Sequence, residues 1–414
     1  MRGFFLPIGS NMPAVVELHG LQTLRVPKRV DYTLIELEVL AGFYYSNELA
    51  HVFEHLMSHW TSTRWPSAVE VNRAIEGTGA ESKAETDNYL ARYWLHCAPR
   101  DAPRLLDILL AAYRDFRVDH SIVQQERNAV VAELAADRED EWHDLEYACD
   151  KAIFGDYNPS IDLREGQRLA RRAPLRTIVA QRKRYVPSAT LLLLAGNLQY
   201  LPRGRPIAAR PLRPLPPLAN VEHIDLPRVA WRFDDYGLGA LMLRFRSAWT
   251  EFALEARAIR LLCIALTEGV TGTLKFRLRS ELGLIYKVEC DAVLDPLQPA
   301  LGYVQLSVLA SAVVLPRVLR ETLAHLRQPI ADISTAQRKL ALEDKRTCDL
   351  TDWAERRARE VIFGQRYAKR VDLALVQRVQ RALFRPERLV VAYSSAKRDA
   401  RMNRVVDQFV QGEF

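Results

Sequence analysis

The sequence predicts an α+β protein built as two related halves, and three observations carry that reading. First, strand-like alternation, as in Tyr32-Thr-Leu-Ile-Glu-Leu-Glu-Val-Leu40 and Leu241-Met-Leu-Arg-Phe-Arg246, mixes with helical stretches without a strict βαβ rhythm. Second, residues 201–219 hold six prolines between Pro202 and Pro217. Proline fixes φ and removes a backbone donor, so this stretch is denied both helix and a central strand and reads as a linker. It divides the chain into an N-terminal domain, 1–200, and a C-terminal domain, 220–414. Third, the two parts share motifs in the same order. Asp101-Ala-Pro103-Arg104-Leu-Leu and Val314-Leu-Pro316-Arg317-Val-Leu each open an amphipathic helix with proline in its first turn. Each part closes on a proline-led strand, Tyr185-Val-Pro187-Ser-Ala-Thr-Leu-Leu-Leu-Leu-Ala-Gly196 and Phe384-Arg-Pro386-Glu-Arg-Leu-Val-Val-Ala-Tyr393. Two matches in one order predict a duplication.

Within the first half, apolar periodicity predicts helices near 50–62, 67–76, 102–117 and 121–145. Hydrophobic content of 49% with 26% charged residues supports buried cores and excludes a disordered chain. No run of about 18 apolar residues exists, so no membrane span is expected. The start, Met1-Arg-Gly-Phe-Phe-Leu-Pro-Ile, is broken by proline too early for a signal peptide. Cys97, Cys149, Cys263, Cys290 and Cys348 are odd in number and form no C-x-x-C pair. They read as reduced thiols of a cytoplasmic protein. The net charge of +7 is modest for 414 residues. Without a basic run carrying interleaved aromatics, no nucleic-acid partner is expected.

His51-Val-Phe-Glu54-His55 is the stretch richest in chemistry. At about 100° per residue, a helix sets His55 roughly 40° around from His51 and Glu54 roughly 60° to the other side. The three side chains share one face. Two neutral imidazoles bind a metal well, and a carboxylate between them can handle the proton of a water. A catalytic zinc takes a third protein ligand. The candidates lie in Glu126-Arg-Asn-Ala-Val-Val-Ala-Glu133, whose two carboxylates are about two turns apart on one helix face. One of them would ligate while the other orients a histidine or binds a substrate amine. The offset that carries Pro103 onto Pro316 carries Glu126 onto Lys339 and Glu133 onto Arg346, so the second half does not repeat this site.

His-x-x-Glu-His followed by Glu-x-x-x-Val-x-x-Glu about 75 residues later resembles the pitrilysin/insulinase metallopeptidases, the inverzincins. The resemblance implies His51, His55 and Glu133 as ligands of one zinc ion per chain, Glu54 as general base, and Glu126 as the carboxylate behind the ligands. In the second half, Leu278-Arg279-Ser-Glu-Leu-Gly283-Leu-Ile-Tyr286 resembles the family's Leu-Arg-Glu-x-x-Gly-Leu-x-Tyr element. Arg279 and Tyr286 would then contact the substrate near the scissile carbonyl, where a guanidinium and a phenol are good donors to an oxygen gaining negative charge. The resemblance covers nearly the whole chain. It implies two homologous α/β sandwich domains that close like a clamshell around a peptide chamber, the first holding the metal and the second the Arg/Tyr element.

The chain departs from the family's pattern in two places. The family's Asn-Ala-x-Thr edge strand is matched by Gly79-Ala-Glu-Ser82-Lys83-Ala84-Glu85-Thr86, which lacks the Asn-Ala pair. An edge strand holds an extended peptide through its backbone, so Ser82, Lys83, Ala84 and Glu85 remain the expected substrate strand. Before His51, Ala41-Gly42-Phe-Tyr-Tyr-Ser-Asn-Glu48 stands where the family has a longer glycine-rich loop. His59 lies one turn beyond His55, too far from His51 to share a metal, and reads as structural or as a loop residue. The expected activity is zinc-dependent hydrolysis of short or unfolded peptides, with maturation of a small peptide as one form of it. The alternative is a non-catalytic relative acting as a structural or peptide-binding subunit. Chains of this length in the family commonly pair, so the resemblance implies a homodimer, or a heterodimer with a related chain.

Overall fold

The computed structural model describes residues 14–138, 142–154, 163–213, 228–233, 238–247, 249, 251–298, 301–346, 350–364 and 370–413. Cys348 and the last third of the proline-rich stretch lie outside the described residues.

The first half runs β1 (Ala14–Leu18), β2 (Leu21–Pro27), β3 (Thr33–Val39), α1 (Phe43–Ser46), α2 (Glu48–Met57), α3 (Ala68–Glu76), β4 (Glu81–Thr86), β5 (Ala91–Cys97), α4 (Ala102–Asp115), α5 (Val123–Arg138), α6 (His143–Phe154), α7 (Leu163–Arg172), α8 (Leu175–Val179), β6 (Thr190–Gly196) and the two-residue β7 (Arg205–Pro206). The second runs β8 (Arg228–Phe233), β9 (Leu238–Arg246), α9 (Phe252–Thr267), α10 (Thr273–Lys275), β10 (Ile285–Val293), β11 (Tyr303–Ser311), α11 (Leu315–Arg327), α12 (Ser334–Arg346), α13 (Leu350–Phe363), α14 (Leu373–Leu383), β12 (Leu389–Ser395) and α15 (Ala400–Gln411). The stretch read as one helix over 121–145 is two helices, α5 and α6. They bury different faces: α5 buries Val130 and Leu134, whereas α6 packs Leu145, Cys149 and Ile153 inward and lies on β8, β9 and β12.

The duplication is visible in the strand pairing. One sheet has the order β4-β5-β3-β6-β2-β1-β7 and the other β10-β11-β9-β12-β8. In the first, β4–β5, β5–β3 and β3–β6 are antiparallel and β6–β2 is parallel. In the second, β10–β11, β11–β9 and β9–β12 are antiparallel and β12–β8 is parallel. Strand for strand the five-stranded core is the same. The shared motifs fall at equivalent places: α4 and α11 both carry proline in the first turn, and a single 3-10 turn at Pro187 or Pro386 leads into β6 or β12. β6 is buried along its whole length, as expected of a central strand covered on both faces.

Contacts divide the chain into two compact units, but not by a single cut at the proline-rich stretch. The first unit comprises residues 1–131, 167–216 and 347–364; the second comprises 132–166, 217–346 and 365–414. Thus α6, from the first half of the sequence, belongs to the second sheet, and α13, from the second half, packs on β6 of the first. The reason is that both faces of each sheet carry buried side chains and both need a cover. The four described cysteines, Cys97, Cys149, Cys263 and Cys290, are free and buried. Among the described residues no helix is long and apolar enough to cross a membrane.

Candidate metal centre

α2 is a helix buried on nearly every side. Glu48, Ala50, His51, Val52, Phe53, Glu54, Leu56 and Met57 are all buried. Its apolar side is fixed by Phe53, whose ring meets Phe116 and Tyr185 edge-to-face at 5.3 and 5.2 Å. The approach to α2 is equally tight. A Cβ on Gly42 would lie 2.1 Å from the Asp87 carbonyl oxygen, so only glycine fits where the chain crosses residues 87–89. At the other end, Trp60 has a φ of 53° and is fully buried. Left-handed backbone costs a bulky residue roughly 1–2 kcal/mol, so its surroundings must hold it there. They do: the indole packs edge-on against Tyr93 at 5.5 Å and donates to the Ser82 hydroxyl at 3.1 Å.

Burial obliges the polar side chains of α2 to find partners. The Nδ1 of His51 is 2.5 Å from a Glu48 carboxylate oxygen, one turn earlier. The Nδ1 of His55 is 3.1 Å from Glu126 Oε2 on α5. With both Nδ1 atoms held by carboxylates, Nε2 is the nitrogen each ring offers to a metal. The rings stand 4.9 Å apart at 68°. Glu133 completes the set: one ligand atom each from His51, His55 and Glu133 lie within 4.8 Å of one another. The unit boundary falls inside α5, a single unbroken helix, so the helix that Glu126 anchors also carries Glu133. Two imidazole nitrogens and a carboxylate oxygen are a donor set that fits zinc. His51 is buried, His55 partly buried and Glu133 exposed, so the donor set runs from the interior to the surface.

Glu126 does more than support His55. Its other oxygen, Oε1, is 3.0 Å from Nε2 of His59, whose Nδ1 is 3.1 Å from the amide nitrogen of Asn72. Hydrogen bonds from His55 and His59 pull the Glu126 carboxyl down to about 2. Glu54 is buried, and the Thr86 hydroxyl donates to it at 3.4 Å. Close behind it the Tyr93 and Tyr185 hydroxyls share a 2.6 Å hydrogen bond, and both phenols are pushed up, chiefly by burial.

β4 ends the first sheet and, among the described residues, pairs only with β5. Successive side chains of a strand point to opposite faces. Ser82 and Thr86 therefore reach the α2 side, where they meet Trp60 and Glu54, and Ala84 shares that face. Lys83 pairs with Glu81 and Glu85 with Arg92, both at 2.7 Å, on the other face. Arg279 and Tyr286 lie in the second unit, and both are exposed. Arg279 sits on the irregular turn Phe276–Glu281. Gly283, with a φ of 60°, reverses the chain into β10. Tyr286 stands at a register shift between Ile285 and Lys287, a bulge that turns its ring outward, 70% exposed.

Glu48, His59 and Asn72 take part in this site although the sequence does not single out their roles. Glu48 could have been found, because i and i+3 share a helix face and a buried ligand histidine needs a carboxylate partner. Asn72 gives no such signal: it is one polar residue on α3.

These features make a candidate metal centre. Residues 35–159 match the family model described as insulinase, peptidase family M16. Over that span the chain is similar to the M16 (insulinase/pitrilysin) peptidases. A protein of Mycobacterium tuberculosis named as an uncharacterised zinc protease is 31% identical over 157 residues, 36% of this chain and 34% of that protein. One of Mycobacterium leprae, named likewise, is 30% identical over the same length. These alignments span about a third of the curated relatives' length. In fold, the chain is similar to a protease of Helicobacter pylori, with a TM-score of 0.75 at 15% identity over 93% of this chain and 100% of that one. An inactive M16 domain of Pseudomonas fluorescens gives 0.72 at 14% identity, over 94% of this chain and 100% of that one. Pitrilysin gives 0.68 at 16% identity, over 98% of this chain and 48% of that one.

Proposed function

We propose that this protein is a zinc-dependent endopeptidase, with one ion per chain held by His51, His55 and Glu133. The observation that carries it is the convergence of three ligand atoms within 4.8 Å while the Nδ1 of each imidazole is held by a carboxylate. The inactive Pseudomonas fluorescens domain shares the fold. Fold alone therefore does not carry activity; the donor set does. Zinc, when bound, supplies a Lewis acid that polarises a carbonyl and acidifies water. Glu54, one helix position before His55, takes a proton from the attacking water and returns it to the departing amine. The free edge of β4 pairs with an extended peptide through backbone groups, which suits short or unfolded substrates. Ser82 and Ala84 face the side of α2, and Lys83 and Glu85 flank the opposite face. Arg279 and Tyr286 donate to the carbonyl oxygen as it gains charge. The working form is a pair of chains, as a homodimer or with a related chain.

The test is a pair of variants. Glu54→Gln should retain zinc by atomic absorption and lose about 10²–10⁴-fold in peptide cleavage, the range of a general base. His55→Ala should lose both zinc and cleavage. Normal cleavage by Glu54→Gln would exclude this mechanism. An active monomer by sedimentation would exclude the paired form.

A further inference from the structure

We propose that His59 is a positioning residue of the metal centre, acting through Glu126 on the ligand His55; this rests on the zinc reading above. Glu126 is bound at both ends, Oε2 by His55 and Oε1 by His59. A carboxylate held on one oxygen still rotates about its last bond. Held on both, its plane is fixed, and so is the direction in which it receives the His55 ring.

The polarity of the chain is consistent from end to end. The Asn72 amide donates to Nδ1 of His59, which leaves the proton on Nε2. That N–H donates to Glu126 Oε1, and Glu126 Oε2 accepts from Nδ1–H of His55. Nε2 of His55 is then the lone-pair nitrogen, as a ligand must be. Both nitrogens of His59 are occupied in this chain, and His59 is not among the three residues whose ligand atoms converge. It is therefore placed to orient a ligand, not to be one.

The backbone explains how His59 gets there. On a continued helix it would lie roughly 6 Å further along the axis than His55. α2 stops at Met57 with Ser58 still right-handed, and the left-handed Trp60, pinned by Tyr93 and Ser82, turns the chain away immediately after His59, which is 3.0 Å from Glu126 through Nε2. His59 and Asn72 are both only partly buried.

The test is zinc affinity of the full chain by competition with a chromogenic chelator, alongside the melting temperature of each metal-free variant. His59→Phe should bind zinc about 10–100-fold more weakly, the usual effect of losing a residue behind a ligand. His59→Gln, whose amide can still donate to Glu126, should recover affinity to within about threefold of the wild type by keeping that donor. Asn72→Leu should fall between. Wild-type affinity in His59→Phe, or equal loss in His59→Phe and His59→Gln, would overturn the proposal while leaving the zinc reading intact. If His59→Phe does not fold, wild-type affinity in Asn72→Leu overturns it instead. A wild-type chain that binds no zinc overturns both.

Discussion

Glu38 and Glu126 are two carboxyls that burial treats in opposite ways. Glu126 meets two imidazole donors and stays ionised. Glu38 lies on β3 with one oxygen unpartnered, and burial pushes its carboxyl up to about 8 despite Arg92 and Arg359 nearby. Its folded value exceeds the ordinary carboxylate range, so its contribution to stability is fully present below that range. It is lost as pH rises through about 8, because the unfolded chain releases the proton first. Glu38→Gln stays neutral throughout. Its melting temperature should gain on the wild type steadily from about pH 4.5 to about 8 and level off above; parallel curves would exclude this. At this scale the sequence was most legible where spacing alone sets geometry. His51, Glu54 and His55 are on one face because a helix puts them there. Neither the ionised state of Glu126 nor the neutral state of Glu38 is legible, because each depends on neighbours from distant strands and helices.

Among elements, α2 depends on its approach more than on its own propensity. Gly42 is held against the backbone of residues 87–89, with no flexible side chain there to yield. Gly42→Ala should therefore lower stability by about 1–3 kcal/mol or more. The change would be read as a fall in melting temperature together with weakened zinc binding, since α2 begins only six residues later. An unchanged melting temperature would show that the chain crosses elsewhere. Strand positions and helix starts were readable from alternation and from proline in the first turn. The break between α5 and α6 was not, since polar residues such as Asp137 and Arg138 extend a helical pattern as easily as they end one. The sequence marks Ser82, Lys83, Ala84 and Glu85 as one run, but the pleat sends them to opposite faces.

For the molecule as a whole, the duplication extends into the buried charges and then inverts. Glu38 pairs with Leu191 of β6, and Arg244 pairs with Val390 of β12. Each partner stands four positions after the proline that leads its strand, so Glu38 and Arg244 occupy equivalent sites. On the first sheet, Glu36 and Glu38 lie near Arg359 and Glu355 of α13. On the second, Arg244 bonds Asp150 of α6 and Gln305, and stacks on Tyr303 at 3.9 Å. Opposite charges at equivalent positions match each sheet to its own covering helix. Arg244→Met removes the guanidinium that bonds the buried Asp150 carboxylate and should cost about 3–5 kcal/mol. Arg244→Met with Asp150→Leu should recover most of that in denaturant unfolding. Additive losses would show that the two residues are not coupled. The repeat was legible from two proline motifs. The assignment of α6 and α13 to their sheets was not, because it depends on which buried charges meet.

We propose that His51, His55 and Glu133 hold a catalytic zinc with Glu54 as its base. The most direct measurement is digestion of a mixed peptide library by the zinc-loaded full chain and by Glu54→Gln, each with and without chelator, read by mass spectrometry alongside metal content. If His51, His55 and Glu133 hold the ion, both proteins carry about one zinc per chain, only the wild type cleaves, and chelation abolishes that cleavage. Chelator-resistant cleavage, or cleavage by Glu54→Gln at the wild-type rate, would contradict it.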